Sequence, residues 1–291
     1  MQDIAKALVK NNYQVAFSKG CFDLAAKGEE KFLLKILLNV DALLKEHSLS
    51  LRTISYFISA LPFVISLKSG RKKLMDDVIY SRFDLNVLTP NTFKKMIKEE
   101  IYPSFSMKGK HVVKISLEKL KERRKNLNYS LSELSRFTNI SKKCLYEIES
   151  GKVLPKKETV EKLEEALMTK LTVSFKPTKP KKVILKPRER FEREVSKKFF
   201  NLGIENSAVF SAPFNLIGKE KFSIITKLFD KTEEIKIHAE KIESLSSIFS
   251  SFFIGIAKRK DKKIDYPVIS KDEFFEISSP KELLEKIEGK I

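Results

Sequence analysis

The sequence predicts a multidomain chain of mixed class, with two α/β segments flanking one all-helical segment. Three observations predict it. Runs rich in β-branched and aromatic residues, each leading into a capped helix, occur near both ends, whereas residues 116–171 carry helical pattern and no strand signal. The two end segments repeat one another. A proline-bearing cationic stretch separates the helical segment from the rear one. The boundaries read as 1–110 for the front α/β module, 116–171 for the helices, 176–193 for the linker and 194–291 for the rear module.

Composition narrows the function classes. A chain of 291 residues holds two or three cores, and 42% hydrophobic content with 22 Phe argues against long disorder. There are 57 Lys+Arg against 38 Asp+Glu, a net charge of +19, which points to a polyanionic partner or a highly charged cell interior. A membrane is the poorer partner. The longest apolar run, Thr53 to Leu67, is broken by Ser55, Ser59 and Pro62 and is too short to span, and "MQDIAKALVKNNYQ" lacks a signal peptide's apolar core. Cys21 and Cys144 are too far apart in sequence to suggest a disulfide framework, and His47, His111 and His238 show no ligand spacing. The expectation is an intracellular protein of a reducing compartment, cytoplasmic, with no metal and no cofactor.

In the front module "ISALPFVISL" suits a buried strand. "LNVLTPNTFKKMI" reads as a strand and then a helix capped by Thr89, with Pro90 at its first position. The rear module carries the same texture. Phe22-Asp23-Leu24 matches Phe214-Asn215-Leu216 at a shift of 192, and Ile54 matches Leu245 at 191. Asp84 matches Asp265 and Phe93 matches Phe274, both at 181, so ten residues drop out across the loop-like "LKSGRKKLMDDVIYSRF". Ordered matches at nearly constant offset predict a duplicated module. The linker, Lys176 to Arg193, holds three Pro and eight Lys/Arg against two Glu, and is expected to run extended, tracking phosphates.

The helical segment contains "SELSRFTNISKKCLYEIESGKVLP". Ser130 and Glu133 have capping-box spacing, so a helix starts at Leu131. Leu131 and Leu134 face inward with Phe137 beside them, and Ser135 is small where a second helix crosses. Asn139 tolerates the left-handed conformation of a sharp turn. Ile140 plugs the corner and Ser141 caps the next helix. There Leu145 and Ile148 point to the core, leaving Lys142, Lys143, Tyr146, Glu147 and Ser150 outside. Cys144 reads as a packed small side chain.

These residues resemble the helix-turn-helix domain of the Cro and lambda-type repressor family, from Leu117 to Leu167. "LEKLKERRKNLNY" precedes the pair and "KKETVEKLEEAL" follows it. Asn139 stands where the family usually has glycine, and Thr138 where it commonly has an apolar residue. The resemblance implies a five-helix-type domain whose recognition helix enters the major groove of double-stranded DNA. It implies base reading by Lys142, Lys143 and Glu147 with Tyr146 at the edge. Ser130, Ser141, Ser150 and Lys152 fall in with the DNA-facing set, Ser130, Ser150 and Lys152 where phosphate contacts hold the register. Arg124 and Glu149 match a structural ion pair.

The whole chain resembles an archaeal family of HTH-type transcriptional regulatory proteins. "GCFDLAAKGEEKFLLKILLNVDAL" and "DDVIYSRFDLNVLTP" carry the likeness in front, "SAPFNLIG" and "KIDYPVISKDEFFEI" behind. The front module also resembles restriction-endonuclease-like folds, in which two carboxylates and a lysine serve a metal. Asp23 and Lys35 match, but Leu33 stands at the second carboxylate and Asn215 replaces Asp23 in the rear copy. The reading is therefore an inactive relative, not an enzyme, that serves pairing or DNA gripping. The expected function is a sequence-specific regulator, a repressor ahead of an activator. It works as a homodimer at the nucleoid, with the transcription machinery and a small-molecule effector open as further partners. The alternative is a metal-dependent, structure-directed nuclease or repair protein anchored by the helix-turn-helix.

Overall fold

A computed structural model describes residues 1–231, 235–259 and 266–289, the side chains at 231 and 235–239 apart. Residues 1–70, 83–85 and 177–291 form one compact unit, and 71–82 with 86–176 form another. In chain order the front module holds α1 (Gln2–Lys10), β1 (Gln14–Phe17), β2 (Leu24–Lys27), β3 (Lys31–Asn39), α2 (Lys45–Phe57) and β4 (Leu61–Ser69). Next come β5 (Lys72–Lys73), β6 (Val78–Arg82), β7 (Leu85–Leu88), α3 (Pro90–Met96), β8 (Ser104–Met107) and β9 (Lys110–Val113). Four helices follow: α4 (Leu117–Asn126), α5 (Leu131–Thr138), α6 (Lys142–Glu149) and α7 (Lys157–Leu167). The rear module holds α8 (Arg190–Asn201), β10 (Glu205–Ala208), β11 (Leu216–Lys219), β12 (Ser223–Lys231), α9 (Ile235–Phe249), β13 (Ser251–Arg259), β14 (Val268–Ser270), α10 (Lys271–Glu276) and α11 (Pro280–Glu288).

The front and rear sheets share one topology. An antiparallel run of three strands, β1-β2-β3 or β10-β11-β12, is followed by a parallel fourth, β4 or β13, reached through a helix. Their registers agree as well. Leu24 faces Leu34 in front and Leu216 faces Thr226 behind, each 192 residues on. Phe32 faces Leu61, and Ile224 faces Phe252. Ile54 and Leu245, and likewise Phe93 and Phe274, are all fully buried. Asp265, matched in sequence to Asp84, lies outside the described residues.

Within their unit the two modules pack in a crossed manner. Helix α9 lies on β1 and β2, and α2 lies against β11. The polar contacts obey the same two-fold relation. Lys31 Nζ donates to the Phe249 carbonyl at 2.6 Å, and Ser223 Oγ, at the equivalent position, donates to the Phe57 carbonyl at 3.0 Å. Each long helix thus has an orphan C-terminal carbonyl satisfied by the opposite hairpin. Where the copies meet, Cys21 N–H donates to the Ser211 carbonyl at 2.6 Å. Gly20 there has φ +127, and a Cβ on it would lie 1.8 Å from the Ser211 oxygen, so only glycine fits.

In the other unit, Thr89 caps α3 by accepting from Thr92 N–H at 3.2 Å with Pro90 at the first position, as the sequence expects. Strands run in the order β7-β6-β8-β9.

Three expectations need correction. The stretch from Leu67 to Phe83, read as loop, contains β5 and β6, because Val78 and Ile79 bury their branched side chains in the strand. The linker is free of helix only as far as Glu189. Arg190 opens α8, whose Phe191, Val195 and Phe199 recur at four-residue intervals and bury one face. The helical segment shows four helices among the described residues, not five. In place of a fifth the chain returns as a bridge pairing Ile115 with Thr172, held by Glu164 Oε1, which accepts from Leu171 and Thr172 N–H.

Candidate nucleic-acid interface

The helical core forms around Leu120, Leu134, Leu145, Ile148, Val160, Leu163 and Leu167. Ser130 Oγ accepts from Glu133 N–H at 3.2 Å while Glu133 Oε2 accepts from Ser130 N–H at 2.8 Å, closing a full capping box. That backbone hydrogen bond, ahead of the one from the Ser130 side chain, holds the Glu133 carboxyl below its usual pKa. Asn139 then takes φ 54, ψ 34, the left-handed conformation that ends α5 and aims the next helix. Ser141 Oγ accepts from Cys144 N–H at 3.2 Å and caps α6.

On α6, Leu145 and Ile148 are buried and Cys144 is half-buried against the same core. Ser141, Lys142, Lys143, Tyr146 and Ser150 are exposed, with Glu147 half-buried between them. The N-terminal end of α6 is therefore an exposed cationic first turn. Lys152 sits over the Tyr146 ring at 5.3 Å, so the two form one surface just past the helix. Ser150 Oγ donates to the Glu147 carbonyl at 3.1 Å and must release that bond before it can donate to a phosphate. At Ser130 the backbone N–H is already taken by Glu133, and the side chain is engaged with the same residue.

Behind this face, Arg124 clamps α4 to α6. Its Nε and Nη2 donate to the two oxygens of Glu149 at 2.6 and 3.1 Å, and Nη1 donates to the Tyr129 carbonyl at 2.8 Å. The side chains are only 15% and 9% exposed, and the Glu149 carboxylate raises the guanidinium pKa further. Tyr129 was not foreseen as a partner. It contributes through its backbone, for which side-chain identity gives no signal.

Phe137 corrects an expectation. It is 62% exposed, lying against Tyr129 with ring centroids 4.9 Å apart. Thr138 is buried instead, four residues past Leu134 and so on the same helical stripe. Its hydroxyl donates to the Leu134 carbonyl at 2.7 Å, which lets a polar residue occupy an apolar site.

In the front module, Asp23 and Lys35 do meet, with Lys35 Nζ donating to Asp23 Oδ1 at 3.0 Å and to the Gly20 carbonyl at 2.7 Å. Asp23 Oδ2 accepts from Ile36 N–H at 2.7 Å. The rear module has an amide at the equivalent place. Asn215 Oδ1 accepts from Leu228 N–H at 3.1 Å, and its Nδ2 donates to Glu192 Oε1 at 3.0 Å. Leu33 and Ile225 are fully buried where a second carboxylate would be needed. Burial pushes the neighbouring Cys21 thiol up to about 12, and burial, then Lys35, lowers the His47 pKa. A divalent cation needs several oxygen ligands, and one carboxylate whose oxygens are both engaged does not fit one. Among the described residues no group of three or more His, Cys, Asp or Glu is placed to hold a metal, and no helix is long and apolar enough to cross a membrane.

A capped helix, a left-handed bend and a second capped helix with a cationic first turn define the class: a protein with a helix-turn-helix domain. Residues 120–173 match the helix-turn-helix family, and residues 1–103 match the PD-(D/E)XK superfamily domain. Relatives named "Putative HTH-type transcriptional regulatory protein" span almost the whole chain. The one from Methanobrevibacter smithii is 30% identical, covering 99% of this chain and 96% of its own. Those from Methanothermobacter thermautotrophicus and Pyrococcus horikoshii are 28% and 29% identical, covering 99% of this chain and 94% and 95% of their own. No solved structure matches it significantly. The chain belongs to this archaeal family of HTH-type transcriptional regulatory proteins.

Proposed function

We propose that the protein is a sequence-specific, DNA-binding transcription regulator acting in the cytoplasm at the nucleoid, by repression. Helix α6 enters the major groove with Lys142 and Lys143 donating to guanine edges and Glu147 accepting from cytosine. Tyr146 borders that contact, Ser130, Ser150 and Lys152 hold phosphates, and Ser141 lies in the same DNA-facing set. The observation that carries this reading is the free cationic turn of α6, held outward by the Asn139 bend and the buried Arg124–Glu149 clamp. Two copies bind together, because one recognition helix reads too few base pairs for genomic specificity and a two-fold half-site solves this geometrically.

The α/β modules arose by duplication of a nuclease-like fold and serve as a scaffold without catalysis. Supporting this are the shared registers, the crossed helices and the apolar residues at 33 and 225. The match of residues 1–103 to the PD-(D/E)XK superfamily favours a second reading, a DNA-cleaving enzyme. Cleavage of branched or linear DNA that needs Mg²⁺ and disappears in Asp23→Ala would establish that reading over ours. The test of the first is selection of random duplexes on the intact protein, followed by binding of Lys142→Ala/Lys143→Ala. We expect the selected sequence to lose its advantage over scrambled DNA. A uniform loss on every sequence would mean that these lysines contact phosphate only.

A further inference from the structure

The chain that enters the rear module from Lys176 is a wall as well as a connection. From Lys182 to Arg188 exposure alternates: Lys182, Ile184, Lys186 and Arg188 face outward, and Val183, Leu185 and Pro187 are half-buried. Hydrogen bonds fix this strap, among them Thr53 Oγ1 to the Val183 carbonyl at 3.1 Å, Leu185 N–H to Ser207 Oγ at 2.8 Å, and Ala208 N–H to the Leu185 carbonyl at 3.1 Å. Between the strap and α8 lies a cavity of about 650 Å³, within the usual size range of small-molecule sites.

Its lining has two characters. Ile204 is buried at the base, Ile184 stands on the strap side, and Phe200 projects from α8 with 74% of its surface exposed. An aromatic ring that bare, on a helix whose Phe191 and Phe199 are buried, leaves a large apolar area facing the opening. The charged lining is unbalanced. Lys182 pairs with Glu205, the one carboxylate among the described lining residues. The Arg193 side chain makes one hydrogen bond among the described residues, to the Arg188 carbonyl at 2.6 Å, and no ion pair. The Lys197 ammonium has no ion-pair or hydrogen-bond partner among the described residues. The cavity therefore keeps a surplus of two positive charges beside an uncovered apolar slot. Water satisfies the ammonium groups but not the slot, whereas an apolar body bearing one anionic group satisfies both.

We infer that this cavity binds an amphipathic organic anion, an acyl chain or flat ring carrying a carboxylate or phosphate. The head group pairs with Arg193 and Lys197, and the apolar body covers Phe200 and Ile204. The head sits beside the middle of α8, away from the carbonyls of its C-terminal end, which repel an anion. Such a ligand holds the strap, the first chain to leave the unit that contains the recognition helix, so its binding is coupled to DNA affinity. The coupling rests on the DNA-binding reading, and the anion site does not.

The experiment uses the intact protein and two probes in separate titrations, decanoate and adenosine monophosphate, with calorimetry as readout. We expect at least one to bind, and Lys197→Glu and Phe200→Ser each to weaken it by about tenfold or more. Both substitutions fall on exposed side chains, so the fold stays intact, and circular dichroism verifies that it does. The two arms separate an acyl source from a nucleotide source. Two results would overturn the site: neither probe binds, or both variants bind as well as the parent. Reciprocity then requires the bound anion to change the Kd for selected DNA by about threefold or more. An unchanged Kd would refute the coupling alone. Failure of the unliganded protein to prefer any DNA sequence would strike the proposed function and leave the anion site standing.

Discussion

Replacing Arg124 with methionine tests how α6 is held. Methionine keeps the aliphatic stem, so packing changes little, but three hydrogen bonds disappear: two to Glu149 and one to the Tyr129 carbonyl. The Tyr129 carbonyl can turn to water, whereas the Glu149 side chain is 9% exposed and cannot fully rehydrate. Stranding one charge of a buried pair costs about 3–5 kcal/mol. The partial exposure of both groups places the expected loss near the lower end, about 3 kcal/mol. Arg124→Met/Glu149→Leu removes the stranded charge and should recover all but about 1 kcal/mol, since apolar replacements of buried pairs are often neutral. The assay is urea unfolding with amide hydrogen exchange read at α4 to α6, because a global probe would average two compact units. A single-variant loss below about 1 kcal/mol, the range of exposed pairs, would refute the clamp. So would a double variant no more stable than the single one.

Gly20→Ala should destabilise the unit formed by the two α/β modules by at least about 2 kcal/mol, since it adds backbone strain to a Cβ placed 1.8 Å from the Ser211 oxygen. Exchange protection in β1, β2 and α9 that is unchanged in this variant would show that the crossed packing does not depend on that contact. Phe137→Ser should change stability by no more than about 0.5 kcal/mol, as expected for a residue 62% exposed. A loss of core size would return Phe137 to the interior. The Asp76 carboxyl is held below its ordinary pKa by the Thr89 hydroxyl and then the Asn91 amide, which donates at 3.0 Å. A depressed carboxylate stabilises the fold above its unfolded pKa and loses that contribution as pH falls through the folded one. Asn91→Ala should therefore raise the Asp76 pKa and be destabilising at neutral pH. The gap from the parent should close in acid below about 3.9, which carbon-detected carboxyl titration and thermal melts check together.

Local signals carried the helix-turn-helix. Ser130, Glu133 and Ser141 act within three residues of themselves, Asn139 reports a single backbone conformation, and the Leu134, Leu145 and Ile148 stripes follow helical period. The misjudgement at Phe137 has the same origin. Two adjacent positions compete for one stripe, and hydrophobicity favoured Phe137 while the crossing left room only for Thr138 with its hydroxyl turned to the helix backbone. The loop reading of Leu67 to Phe83 failed because a short strand among polar residues takes its identity from its neighbours in the sheet.

Sequence alone determined the cationic balance, the caps and bend of the helix-turn-helix, and the repeated order of strands and helices, because each depends on composition or on residues a few positions apart. Only the tertiary structure decided that each α/β module lays a helix on the other's strands, with Gly20 against Ser211 where they meet, that Asp23 spends both its oxygens on the fold, and that Lys182 to Pro187 faces Phe200 across a cavity. Those contacts join residues up to about two hundred positions apart, and no local pattern encodes which distant backbone group a side chain meets once the hydrophobic faces have closed.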